Sequence, residues 1–409
     1  MSSSSRSAFA ALRHRDFRLL WLGQIVSVTG SQMQFVAINW HVYLLTKSAF
    51  ALGLVGLFRG VPIILCSLAG GVVADAIDRK RLMIVTQTVM LASAALLTVF
   101  TLAGLDSVWP IYILSGLASA ASAFDVPARQ ALMPTLVPTE DFPNAVSLGI
   151  MVFNVATIAG PAIGGFMLAE SGPGVIYAIN ALSFLAVIAA LIAMRTSGKP
   201  ELQGERREAL SFGALKEGLR FVWRTPIIVQ TMTLDFAATF FGSATLLLPI
   251  FAQERLHVGA RGYGFLAAAP AIGSVLTALV MARIGSFQRQ GRLVVSAVAV
   301  FGVATALFGI STVYWFSLLM LAVVGAADTV STVLRQTIRQ LVTPNHLRGR
   351  MTSINMMFFM GGPQLGELEA GSLAAVIGAP LSVVIGGVGS LTCAAIAAVK
   401  SKSLMEFEI

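Results

Sequence analysis

Five ionisable side chains within long apolar runs of this chain of 409 residues stand out, and each is expensive in hydrocarbon unless it is paired, protonated or facing water. Asp235 lies about nine residues into its run, roughly 13 Å at 1.5 Å per residue, near the middle of an apolar layer. A carboxyl group there fits a proton or cationic-substrate site, or an acid held neutral by a neighbouring helix. Arg59 and Glu367 each lie about nine or ten residues from the end of a run, at similar depth. Glu369 is two residues further on, about 200° round a helix, so the two glutamates cannot share one partner. Either fits Arg59, and a watery rim fits both. Asp328 stands two helical turns from Arg335 and reads as tied to that end ahead of lining a cavity. Gln24, Gln34 and Asn39 are polar enough to line one. Phe236, Phe240 and Met356 supply soft or aromatic walls that suit lipophilic, varied ligands, although lipid-facing packing explains such residues as well.

The elements that must position these residues follow from composition. With 56% hydrophobic and 11% charged residues and a mean hydropathy of +0.82, the chain is far from the roughly one-quarter charged content of soluble domains. It reads as an all-α membrane protein embedded in a lipid bilayer. Apolar spans fall at roughly 19–45, 50–74, 82–105, 108–126, 145–169 and 175–194, then at 227–252, 262–284, 293–310, 313–334, 351–377 and 380–399. Twelve transmembrane helices are expected, in an N-terminal bundle (1–194) and a C-terminal bundle (226–409). Between them the linker 195–225 carries Phe212, Leu215, Leu219 and Val222 at helical spacing, and fits an amphipathic helix or a plain connection equally.

Of 28 Lys and Arg residues, all but Lys47, Arg59, Arg255 and Arg261 fall on one side of this topology. The positive-inside bias places both termini in the cytoplasm and the protein in the cytoplasmic (inner) membrane. The net charge of +9 therefore reports orientation, and nucleic-acid binding is not expected. Cys66 and Cys393 lie within spans, where packing is their simplest role. No metal site, cofactor or enzymatic chemistry is expected: Gly-Lys-Ser/Thr, Gly-x-Ser-x-Gly and His-Glu-x-x-His are all absent.

The two bundles repeat one another. Arg129-Gln130 followed by Leu136-Val137-Pro138 returns as Arg335-Gln336 followed by Leu341-Val342-Thr343-Pro344, and Gly160-Pro161-Ala162-Ile163-Gly164 returns as Gly362-Pro363-Gln364-Leu365-Gly366. Two matches on equivalent spans imply pseudo-symmetric six-helix bundles. Glu367 stands where the first copy has Gly165.

Gly71, Asp75 and Arg79-Lys80-Arg81, spaced by three residues between the second and third spans, resemble the loop signature of the major facilitator superfamily. More narrowly, Leu12-Arg13-His14-Arg15-Asp16-Phe17-Arg18, Val126-Pro127-Ala128-Arg129-Gln130-Ala131 and Arg348-Gly349-Arg350 resemble the bacterial exporter subgroup of macrolide efflux pumps and the enterobactin exporter. The resemblance implies the major facilitator fold, a small-molecule substrate, protons as coupling ion and a monomer. It implies a cytoplasmic latch at Asp75, with Arg79, Lys80 or Arg81 and Arg129 in its charge network. Asp78 stands where the family often has Gly. Gly160, Pro161, Gly164 and Gly165 resemble the fifth-helix motif of proton-exchanging exporters. In this fold the second and eleventh helices face each other, so an Arg59–Glu367 pair is expected, released when Glu367 is protonated. Proton-coupled export of a small amphiphilic or lipophilic molecule by alternating access is the expected function. A facilitator or importer of another metabolite or lipid, or a non-transporting receptor or scaffold on the same fold, is the alternative.

Overall fold

The computed structural model describes residues 9–105, 107–199, 219–285, 287–344 and 347–407; at 68, 69, 71, 72, 74, 75, 244, 348–350, 352–354, 356–361 and 402 the backbone alone is described. The side chains of Asp75 and Met356, and most of the linker with its amphipathic pattern, thus lie outside the described residues.

Among the described residues there is no strand. Hydrocarbon offers the backbone no hydrogen-bond partner, and a helix satisfies its own. The long helices are α1 (Arg15–Thr46), α2 (Ala49–Ala76), α3 (Arg79–Leu102), α4 (Val108–Leu132), α5 (142–171), α6 (173–193), α7 (Pro226–Phe241), α8 (Gly259–Ile284), α9 (Gln290–Ile310), α10 (Tyr314–Val342), α11 (Arg348–Ile377) and α12 (Ala379–Lys400). Nine helical segments of the described residues are long and apolar enough to cross a membrane, α5 and α6 counting as one and α1 and α11 not among them. Large apolar side chains such as Leu182, Trp315 and Val376 point outward, 64%, 75% and 83% exposed, as a lipid-facing surface requires.

Two turns repeat between the halves. Gly172 (φ 73°) precedes Pro173 between α5 and α6, and Gly378 (φ 86°) precedes Ala379-Pro380 between α11 and α12. Glycine takes the left-handed step and proline starts the next helix with its fixed φ. Two spans are longer than their hydropathy implies: the fourth and tenth were expected to end at 126 and 334, but α4 and α10 continue to Leu132 and Val342. They carry Arg129, Arg335 and Arg339 within the helix, because each guanidinium finds a polar partner and the helix need not stop at a charge.

Compactness divides the chain into two units, Met1–Leu45 with Val61–Leu202 and Thr46–Gly60 with Gln203–Ile409. The first dozen residues of α2 therefore pack with the second unit, and the division falls just before Pro62. In the first unit Phe17, Leu20, Met83, Leu132, Leu148 and Leu191 form an apolar core. In the second, α8 and α10 cross backbone to backbone: a Cβ at Gly273 or Gly325 would collide with the carbonyl of Ala322 or Pro270. Burial of Ile228, Met232, Val294, Val298 and Ile338 fills its core.

The segment leaving α6 is tied down in the first unit. Asp16 accepts hydrogen bonds from the backbone N–H groups of Arg195 (2.9 Å) and Thr196 (2.8 Å) and from the Thr196 hydroxyl (2.6 Å). Lys80 Nζ donates to the carbonyl of Met194 (2.7 Å), and the Arg79 backbone N–H to that of Gly198 (2.8 Å). Asp78 caps α3, accepting from the N–H groups of Lys80 (3.0 Å) and Arg81 (3.2 Å). An acid in place of the family's frequent glycine thus starts the helix.

Burial pushes the Asp16 carboxyl up, but the Thr196 hydroxyl, the two backbone N–H groups and Arg15 outweigh it and hold it below its ordinary value. A depressed carboxylate stabilises fully above its unfolded pKa and loses that contribution as pH falls through its folded one. Wild type is therefore expected to melt at higher temperature than Asp16→Asn at pH 7, with the gap closing as the pH drops below about 4. A constant gap between pH 7 and pH 3 in thermal unfolding would show that the charge is irrelevant.

Candidate functional site

The buried charges gather in the second unit. Asp235 on α7 is 3% exposed, and its carboxylate meets two arginines of α10: Arg335 Nη2 lies 2.8 Å from Oδ1 and Arg339 Nη1 3.6 Å from Oδ2. The Arg335 side chain is 1% exposed. Positions 328, 332, 335 and 339 recur at spacings of three and four, so α10 presents them on one face. Arg335 Nη2 also donates to Thr332 Oγ1 (3.1 Å), Asp328 is an electrostatic neighbour of both Arg335 and Asp235, and Arg339 donates to Asn355 of α11. The Arg335–Asp235 contact is a charge contact without hydrogen-bond alignment: Asp235 Oδ1, Arg335 Nε and Nη1 and Ser331 Oγ have no hydrogen-bond partner among the described residues.

A cation at Asp235 would face two guanidinium groups, and arginine keeps its charge at any cellular pH. The arrangement disfavours a cationic substrate there. It is instead a compact, internally compensated charge cluster, costly to desolvate and strongly destabilised if one partner is removed.

A second charge pair belongs to the same unit. Glu367 of α11 lies against α2 at Gly56, where a Cβ would come 2.5 Å from Glu367 Oε2 and 2.6 Å from its Cβ. Arg59 is one turn along α2, and the Arg59 and Glu367 charges interact. Their helices touch closely: a Cβ on Gly371 would stand 2.7 Å from the Cα of Gly53 and 2.8 Å from the carbonyl of Ala49, and one on Gly60 would stand 2.6 Å from Gln364 Cβ. Glu369, also half-buried, is two positions round the same helix.

The first unit holds counterparts in which a charged group meets an uncharged polar side chain. Arg129 on α4 donates to Gln24 on α1, as Arg335 on α10 meets Asp235 on α7. Asp125 accepts from Thr86 Oγ1 (2.9 Å) and Gln87 Nε2 (3.0 Å), a structural tie. Gln34 accepts from Asn180 Nδ2 (2.7 Å), and Asn39, 1% exposed, has no hydrogen-bond partner for either side-chain polar atom among the described residues. The repeated glycine-proline motif has one structural use in both halves. Gly160 and Gly164 admit the α1 backbone at Thr29–Met33, while Gly362 and Gly366 admit α7 at Thr239–Ser243. Pro161 and Gly165 are buried in α5. Phe236 and Phe240 stack at 5.8 Å on α7. Of the basic loop residues, Arg79 is buried, Lys80 holds the end of α6, and Arg81 supplies a capped N–H.

Arg339 and Asn355 were not foreseen as site residues. The available signal was the spacing of four between Arg335 and Arg339 at the end of an apolar helix, which a loop assignment conceals.

Comparison with known proteins accords with this architecture. A family model described as transmembrane secretion effector matches residues 6–408. The multidrug efflux pump Tap of Mycolicibacterium fortuitum is 27% identical over 372 residues, covering 88% of this chain and 89% of that protein. The enterobactin exporter EntS of Salmonella choleraesuis (strain SC-B67) is 26% identical over 377 residues, covering 92% and 90%. Among solved structures, a POT family transporter superposes with a TM-score of 0.75 at 11% identity, covering 96% of this chain and 97% of that one. The nucleoside transporter NupG gives 0.70 at 14%, covering 96% and 100%.

Proposed function

We propose, from the premise that the chain belongs to the transmembrane secretion effector family of major facilitator transporters, that it exports a small amphiphilic molecule in exchange for protons. The chain is a multi-pass membrane transporter and not an enzyme. Export follows the activities named for its relatives, a multidrug efflux pump and an enterobactin exporter. In this reading the protein sits as a monomer in the cytoplasmic membrane with both termini inside, in keeping with its Lys and Arg distribution. Two six-helix bundles alternate access to a central site, with Asp75 and its basic neighbours latching the cytoplasmic side.

The Arg59–Glu367 interaction is the observation that carries proton coupling. Glycines bring α2 and α11 into tight contact beside this acid and guanidinium. Protonation of Glu367 removes the attraction and lets α2 leave α11; deprotonation restores it. A proton thus biases a two-state contact, as coupling requires. Asp235, compensated by two arginines, is better suited to recognition than to carrying the proton.

The experiment is flux in sealed vesicles with a pH dye inside. Gradients of erythromycin, ethidium or a catechol siderophore are imposed, and interior pH is followed. At least one probe is expected to drive protons in the direction opposite to its own movement. Probe movement without a pH change would make the protein a facilitator, and movement of both in one direction would make it a symporter.

A further inference from the structure

Two groups in the Asp235 cluster are buried yet unfinished. Arg335 spends Nη2 on Asp235 and Thr332, but its Nε and Nη1 donors have no acceptor among the described residues, although the side chain is 1% exposed. Ser331, one helical turn earlier and 2% exposed, carries a hydroxyl with no partner among them either. Serine and arginine four residues apart share a helix face, so the unused donors converge. Buried donors without acceptors are rare in folded proteins and costly. Arg339 adds a second guanidinium, already shared between Asp235 and Asn355.

The geometry points to an anion-recognition site, in which Arg335, Arg339 and Ser331 bind an acidic group of the exported molecule (a carboxylate, sulfonate or phosphate) in exchange for Asp235. This rests on the export reading and names the class of substrate. Asp235 is then an internal competitor. While it holds both guanidinium groups the site is closed to cations and occupied by the protein's own anion; an incoming acidic group displaces it and gains the idle donors as well. When Asp235 re-engages, the ligand is expelled. The Gln24–Arg129 pair in the first unit has an amide in place of such a competing carboxylate.

The test is equilibrium binding to the full chain in nanodiscs, read by energy transfer from tryptophan to 1-pyrenebutyrate, its primary amide and the corresponding butylamine, with 1-naphthalenesulfonate and its sulfonamide as a second pair. In at least one pair the acid is expected to bind about tenfold or more tighter than its neutral partner, the step that a charge-assisted hydrogen bond confers. Arg339→Gln, folded by thermal unfolding, should shrink that preference, with affinity for the acid falling more than affinity for its neutral partner. Asp235→Asn should tighten the acid several-fold, an outcome that a merely structural role for Asp235 does not produce. The proposal is overturned if no acid outbinds its neutral partner, absence of all binding included, or if Asp235→Asn, folded by thermal unfolding, weakens acid and neutral probe alike. Binding needs no turnover: a protein that prefers acids but moves nothing across vesicles would refute export and leave this site standing.

Discussion

Glu367→Gln is expected to reduce substrate-driven proton movement at least about tenfold, because glutamine keeps the size and hydrogen bonds of the acid but can neither release nor take up a proton. The variant also leaves Arg59 opposite an amide in a half-buried contact. Breaking a fully buried pair costs about 3–5 kcal/mol; partial exposure of both groups places this one at the lower end or below it. Substrate binding should survive, since Glu367 lies on the α2 face of α11 and Asp235 lies on α7. Glu369→Gln serves as the control and should retain coupling. The stronger version is charge exchange. Arg59→Glu alone places two acids together and should stop flux; Arg59→Glu with Glu367→Arg should restore contact without restoring proton sensitivity of the original kind. Flux of wild-type size in Glu367→Gln, read with the vesicle pH dye, would remove the pair from the coupling mechanism.

Gly371→Ala is expected to hold α2 off α11. The added methyl would meet the backbone of Gly53 and Ala49 at 2.7–2.8 Å, where no side chain can swing aside. Overpacking of this kind costs about 1–3 kcal/mol, which is roughly a 5- to 150-fold change in the population of the closed contact. Spin labels at the exposed positions Phe50 and Val376 would report it. Their distance distribution should shift to longer values, and transport should fall because the closed state is visited rarely. An unchanged distribution would mean that the helices tolerate the methyl by sliding, and that their close approach has no part in the cycle.

How much of this was legible in the sequence depends on the range of the interaction. The all-helical membrane architecture is written in local composition, and the glycine-proline repeat announced equivalent helices whose packing proves equivalent, α1 against α5 and α7 against α11. Depth along a helix is also local, so counting residues puts Arg59 level with Glu367 and Glu369, while the facing of their two helices came from the resemblance to the family. Azimuth and helix length were harder. Hydropathy ends a span at its first charge, so a span of 313–334 stops short of Arg335 and Arg339, whereas both turn inward because Asp235, a hundred residues earlier, neutralises them. The strap from Met194 to Gly198 was invisible for a related reason: its bonds reach Asp16 and Lys80, and nothing in Thr196 or Gly198 alone says so. Asp235 was found by its location, while its two arginine neighbours stayed hidden, since a sequence shows an acid in hydrocarbon but not the cations around it.

The assignment of residues 46–60 to the second compact unit carries a consequence for biosynthesis. Arg59 leaves the ribosome 308 residues before Glu367, which at 5–20 residues per second is roughly 15–60 s. During that interval the first part of α2 lacks the helix it will pack against, and a guanidinium must shelter at the lipid headgroups or in the insertion machinery. Settling of this early helix therefore waits until α11 arrives. Chains truncated before α11 should be recognised as unfinished by that exposed arginine, a built-in checkpoint that links quality control of the nascent protein to the same two side chains.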